Sequence, residues 1–168
     1  LGVAVRRGLL AGIERAETEA KAVVIVGGGR TFFAGADIKE FGKPIEDPKL
    51  PDLCSRIENS PIPVVSGLHG TALGGGLEVA LGTHYRIAVP SAKVGLPEVH
   101  LGLLPGAGGT QRLPRLVGAA KAIDMITSGR TVGAAEARDL GILDQVEAKL
   151  TECKANVRTY WDGGDEIK

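Results

Sequence analysis

Gly67-Leu68-His69-Gly70-Thr71-Ala72-Leu73-Gly74-Gly75-Gly76-Leu77-Glu78-Val79-Ala80-Leu81 is the stretch on which the fold of this chain turns. A strand over Pro63-Val64-Val65-Ser66 runs into it. Three consecutive glycines follow, and without Cβ atoms a ligand can lie directly on their backbone. A helix starting there points free N–H groups and the positive end of its dipole at that ligand. Glu78 sits one turn in, between Leu77 and Val79-Ala80-Leu81. It belongs either to a surface stripe or to a poorly solvated pocket, and the pocket would raise its pKa and suit acid–base chemistry. The plainer alternative is a tight strand–helix turn with a solvated glutamate.

Upstream, Val3 to Ala20 has helical spacing, with Val5, Leu9, Ile13 and Ala16 on one face. Ala22-Val23-Val24-Ile25-Val26 is apolar and mostly β-branched, and Gly27-Gly28-Gly29 closes it, as in a buried parallel strand. In Phe32-Phe33-Ala34-Gly35-Ala36-Asp37-Ile38-Lys39-Glu40 the small residues make a backbone-accessible turn, and Asp37 can cap a helix starting near Ile38. Pro44 to Pro51 reads as a loop, and Leu53 to Asn59 as a short helix.

Downstream, Tyr85-Arg86-Ile87-Ala88-Val89 is a third strand. Val94-Gly95-Leu96-Pro97-Glu98-Val99 is short and apolar, with a carboxylate beside a proline, and a glycine-rich turn spans Gly102 to Thr110. Helices over Ala119 to Ser128 and Ala134 to Leu140 are stopped by Gly129 and Gly141, and Ile142 to Val146 is a last strand. Alternating strands and helices give an α/β layout.

The 168 residues suffice for one domain with a real core. Lys+Arg and Asp+Glu are both 20, and no basic block of the kind nucleic acid needs is visible. Zero net charge gives little colloidal repulsion and favours an assembled oligomer. No apolar run reaches the length of about 18 residues that a membrane helix needs. Cys54 and Cys153 match no metal spacing and read as reduced thiols of a cytosolic-type compartment, a bacterial-type cytoplasm. The chain begins at Leu1 rather than Met, which leaves an organellar targeting segment open.

The 25 glycines invite a phosphate-loop reading. Gly27-Gly28-Gly29-Arg30-Thr31-Phe32, Gly74-Gly75-Gly76-Leu77-Glu78-Val79 and Gly106-Ala107-Gly108-Gly109-Thr110-Gln111 each lack the third small residue of a dinucleotide fingerprint. None precedes a Lys-Ser/Thr pair, so hydride transfer and nucleotide hydrolysis are disfavoured. Backbone donors near Ala36 and near Gly75 would suit an oxyanion on a carbonyl such as a thioester enolate. Glu78 and Glu98, facing such a site, could hold a water or move a proton at the adjacent carbons. No Ser–His–acid arrangement is apparent. His69, His84 and His100 share no metal spacing, so they read as structural and no metal site is expected.

Three motifs carry a family resemblance: Phe33 to Lys39, Gly70 to Glu78, and Gly95 to Leu113. Together they resemble the enoyl-CoA hydratase/isomerase (crotonase) superfamily, and the hydratase/isomerase module of multifunctional fatty-acid oxidation enzymes in particular. The resemblance covers about residues 1–147 in the expected order, and three long motifs at consistent spacing are far more specific than one glycine pattern. It implies a crotonase-type spiral core of repeated ββα units with peripheral helices. It implies that the Ala36 and Gly75 amides form an oxyanion hole, that Glu78 and Glu98 are catalytic, and that Gly106 helps position the water. Ala34, Ala36, Asp37, Ile38 and Lys39 would bind coenzyme A, with Lys39 toward a phosphate.

The implied reaction is reversible hydration of a trans-2-enoyl-CoA to the 3-hydroxyacyl-CoA in fatty-acid β-oxidation. No separate cofactor is implied, since coenzyme A is part of the substrate. Both carboxylates favour hydration, because members keeping one are often isomerases. A Δ3,Δ2-enoyl-CoA isomerase, another acyl-CoA-processing crotonase and a non-catalytic acyl-CoA- or RNA-binding member are the alternatives. The expected assembly is a trimer or a pair of trimers, with a fused 3-hydroxyacyl-CoA dehydrogenase left open. Family modules run to about 250 residues, so the expectation is a core over 1–147 incomplete at both ends and an unassigned segment over 148–168.

Overall fold

The computed structural model describes residues 1–40 and 42–149. Most of the C-terminal segment, Cys153 included, lies outside the described residues. In chain order the elements are α1 (Val3–Glu19), β1 (Val23–Val26), a 3-10 turn (Ile38–Glu40), α2 (Leu50–Glu58), β2 (Val64–Leu68), β3 (Thr71–Leu73) and α3 (Gly75–Gly82). Then come β4 (Tyr85–Ala88), β5 (Lys93–Gly95), a second 3-10 turn (Glu98–Leu101), α4 (Gly109–Val117), α5 (Ala119–Ser128), β6 (Thr131–Gly133), α6 (Ala134–Asp139) and β7 (Gln145–Val146).

The strands form two sheets, ordered β1-β2-β4-β7 and β3-β5-β6. In the larger sheet every pairing is parallel, with Val65 lying between Val24 and Tyr85. Consecutive ββα units alternate between the sheets: β2 enters the larger, β3 the smaller, and α3 follows. β4 and β5 repeat the step before α4. The first unit is the same with a softer second strand. Phe32 N donates to His69 O at 2.8 Å and Leu73 N donates to Phe33 O at 3.0 Å, so residues 31–33 lie along β3. There the Thr31 hydroxyl, not a carbonyl, accepts from Thr71 N at 2.7 Å. This is a side chain competing with the ladder.

β2 is buried at all five residues and α3 at all eight. A helix apolar on every side belongs in a core, and Leu77, Val79 and Ala80 lose all solvent contact there. Full burial of a side chain such as Leu77 stabilises by about 1.5–3 kcal/mol. Glu78 is carried inside as part of this buried helix.

The expected helices at the start of the chain, over 119–128 and over 134–140 are present within a residue. The inward face of α1 is rotated from the expected one: Val5 is 42% exposed and Arg6 only 5%. Arg6 goes inside because its donors are met. Nη1 pairs with Glu40 Oε2 at 2.8 Å, Nε donates to Pro48 O at 2.8 Å and Nη2 to Glu46 O at 3.1 Å. β1 is an edge strand in which Ile25 alone is fully buried, not the buried strand its apolar run suggests. The expected helix near Ile38 is a single 3-10 turn, with Lys39 N donating to Asp37 Oδ1 at 3.0 Å.

Candidate active site

A cavity of about 450 Å³ opens between the turn at 34–37, the start of α2, the start of α3 and the segment 97–107. The sheets bring these pieces together. β3 ends beside residues 31–33 and delivers Gly74 and Gly75, while β5 ends two residues before Pro97.

Glu78 projects from the first turn of α3 and is 2% exposed. Its Oε1 accepts from Ala107 N at 2.7 Å and from Gly109 N at 2.9 Å. Burial pushes its pKa up, and the two amides and the Arg112 charge pull against that shift. Both bonds favour the ionised form, since an N–H donates only to an acceptor oxygen.

Glu98 opens the second 3-10 turn from the opposite side. Its Oε2 is buried without a hydrogen-bond partner among the described residues. Burial raises its pKa, its own backbone N–H opposes this, and the Glu78 charge adds to the rise. An unpartnered buried carboxylate oxygen is costly while charged and far less so when protonated. Gly74 makes room for it: φ is +52°, and a Cβ there would lie 2.9 Å from Glu98 Oε1.

Ala36 and Gly75 both line the same cavity. A Cβ on Gly75 would lie 3.8 Å from Ala36 N. Among the described residues neither amide makes a hydrogen bond. For Gly75 this is the ordinary state of a first-turn helix N–H. Paired free donors beside a cavity can hold developing negative charge on an oxygen.

The cavity thus gathers Glu78, Glu98, Ala36, Gly75, Gly106, Ala34 and Asp37, all singled out from sequence. Lys39 is exposed on its turn and is not a lining residue; Ile38 starts that turn. Sequence reasoning missed the apolar mouth formed by Ile45, Leu101, Leu103 and Leu104, which are 71%, 63%, 47% and 74% exposed. Leu101, Leu103 and Leu104 were legible as a leucine-rich patch within the glycine-rich motif. Sequence reasoning also missed Arg6 and Arg112, whose partners are distant in sequence. The histidines are spread apart: His69 Nε2 meets Gly29 O at 2.9 Å, His84 Nδ1 accepts from Val64 N at 2.9 Å, and His100 Nε2 meets Ser128 O at 3.0 Å.

Comparison with known proteins shows the family and the fold. The family model described as enoyl-CoA hydratase/isomerase matches residues 3–160. A peroxisomal bifunctional enzyme of Danio rerio is 52% identical over 153 residues, which are 90% of this chain and 21% of that protein. A probable enoyl-CoA hydratase of Bacillus subtilis is 50% identical over 140 residues, 78% of this chain and 54% of that one. The chain therefore spans about a fifth and about half of these relatives. The crystal structure of an enoyl-CoA hydratase from Bacillus anthracis superposes with a TM-score of 0.83 at 36% identity, covering 94% of this chain and 65% of that one. That of an enoyl-CoA hydratase from Mycobacterium smegmatis gives 0.85 at 26%, covering 95% and 66%. By sequence over nearly its whole length, and by fold, the chain belongs to the enoyl-CoA hydratase/isomerase family.

Proposed function

We propose that the protein hydrates a trans-2-enoyl-CoA to the 3-hydroxyacyl-CoA, reversibly, as a step of fatty-acid β-oxidation. The observation that carries this reading is the placing of two glutamates and two unpaired amides on one cavity. The thioester oxygen sits between Ala36 N and Gly75 N, with the acyl chain toward Leu101, Leu103 and Leu104. Glu78, whose two amide bonds favour its charged form against the effect of burial, takes a proton from water while the water oxygen bonds to C3. The C2=C3 π electrons move toward the thioester, and the two amides stabilise the enolate oxygen. Protonated Glu98 then delivers its proton to C2. Proton exchange with solvent returns both glutamates to their starting states. Gly106 lines the cavity where its backbone can help place the water. Ala34, Ala36, Asp37, Ile38 and Lys39 border coenzyme A, which enters and leaves as part of substrate and product and makes a separate cofactor unnecessary.

The relatives include peroxisomal bifunctional enzymes and a bacterial protein. We extend the reading to a trimeric or double-trimeric assembly, to fusion with a 3-hydroxyacyl-CoA dehydrogenase in the full polypeptide, and to a bacterial-type cytoplasm. Among the described residues no helix is long and apolar enough to cross a membrane. The decisive experiment follows the conjugated enoyl-thioester absorbance of crotonyl-CoA with the full-length protein and its Glu98→Gln variant. Rapid loss in the first and none in the second is expected. No loss in either, with conversion of a 3-enoyl-CoA instead, would overturn hydration in favour of isomerisation.

A further inference from the structure

Arg112 is 9% exposed on α4 and does not line the cavity. Its Nη1 donates to Ala107 O at 2.9 Å. Its Nε and Nη2 fork onto Glu58 of α2, at 3.2 and 2.6 Å. The loop it grips is the one whose Ala107 and Gly109 amides point at Glu78. Gly108, between them, has φ +101°, and a Cβ there would fall on the Arg112 guanidinium. The guanidinium therefore occupies the space that a side chain at 108 would need, and it holds the loop through the Ala107 carbonyl.

We infer that Arg112, held by Glu58, is a positioning residue that keeps the Ala107 and Gly109 amides on Glu78, and thereby keeps Glu78 in the state the reaction uses. The inference rests on the proposed role of Glu78. The groups facing Glu78 are those two amides, Arg112 from α4, Cys54 from α2 and Glu98 from the second 3-10 turn. Burial pushes the Cys54 thiol up to about 12, so it stays neutral through the working range. Glu58 is held low first by Arg112, with Arg115 and His84 also facing it. Glu58 is held low and Arg112 is held high by their mutual bonds, so the two stand as a fixed charge pair beside Glu78, whose own carboxyl burial pushes up. A guanidinium suits this post because its planar fork holds both oxygens of Glu58 while Nη1 reaches the Ala107 carbonyl, a fixed geometry that a single ammonium point does not reproduce.

The test uses the full-length protein and the variants Arg112→Met, Arg112→Lys and Glu58→Gln, with kcat and KM for crotonyl-CoA measured across pH. Arg112→Met is expected to lower kcat by about 10–100-fold with KM nearly unchanged. Its acid limb of kcat should move to higher pH, because Glu78 loses a nearby positive charge and its fixed donors. Arg112→Lys should recover part of kcat and most of the limb position, and Glu58→Gln should give a smaller shift in the same direction. Hydrogen exchange at the Ala107 and Gly109 amides should speed up in all three. Unchanged exchange and an unmoved limb in folded variants would overturn the inference, whatever happens to thermal stability. If Arg112→Met does not fold, Arg112→Lys and Glu58→Gln decide by the same two readouts. A wild-type protein without hydratase activity refutes the functional proposal, while the exchange data alone still decide whether Arg112 holds the loop.

Discussion

Glu78 and Glu98 are both pushed toward the neutral form by burial, yet their surroundings divide them: one oxygen of Glu78 collects two amides, while one oxygen of Glu98 has none among the described residues. Glu78→Gln and Glu98→Gln should each lower kcat by about 10²–10⁴-fold in the crotonyl-CoA assay. Neither should lower the Tm at neutral pH. A raised carboxyl pKa means that folding strains the charged form, so its stabilising contribution is present below about pH 4.5 and is lost as pH rises through the folded value. Calorimetry at pH 5 and 8 should show each Gln variant gaining on the wild type at the higher pH. Cys54 supplies an independent check on burial at this spot. Its thiol is fully buried and pushed up to about 12, so iodoacetamide should label it in urea and not in buffer at pH 8. The site was partly legible from the chain at this scale. A lone carboxylate in an apolar helix run points to a buried acid. The amides that bind it lie 29 and 31 residues further on, where no local pattern reaches.

At the scale of elements, glycine has opposite consequences in α1 and α3. Gly8 and Gly12 of α1 are exposed, with nothing near where a Cβ would go. Gly76 of α3 lies against the Phe33 carbonyl, and a Cβ there would collide with backbone. Gly8→Ala should stabilise by about 0.5–1 kcal/mol through helix propensity. Gly76→Ala should destabilise by about 1–3 kcal/mol and weaken turnover, since it parts α3 from the turn that carries Ala36. Urea denaturation of both variants measures the contrast. Long elements with their own periodicity, α1 and α5, could be read along the chain, as could the parallel strands β1, β2 and β4. β3, β5 and β6 have three residues each, too few for alternation to show. α4 starts on glycine and holds Pro114, so its local signals argue against the helix that packing imposes.

Across the whole molecule, the carboxylates form two sets with opposite pH slopes. Glu17, Glu40 and Glu58 are held below the usual range, chiefly by bonds to Arg56, Arg6 and Arg112. Their contribution is present above about pH 4.5 and disappears as pH falls through their lowered values. Glu78 and Glu98 pull the other way, so a Glu78→Gln/Glu98→Gln double variant should lose stability more steeply than the wild type between pH 6 and 3. A shallower loss in Tm scans would contradict this division. The alternation of strands between two sheets could not be read from the chain, because it depends on which edges are free when each strand arrives. β7 is a last instance of that dependence. After β6 pairs antiparallel with β5, the chain crosses over α6 and lays Gln145 and Val146 along Ile87 and Ala88 of β4. Two residues thus screen an otherwise bare row of donors and acceptors on β4, where Ile87 and Ala88 are buried. Shortening the protein after Asp144, which keeps the partner of the buried Arg86, would turn that row into a sticky border, and the expected defect is self-association, read by light scattering.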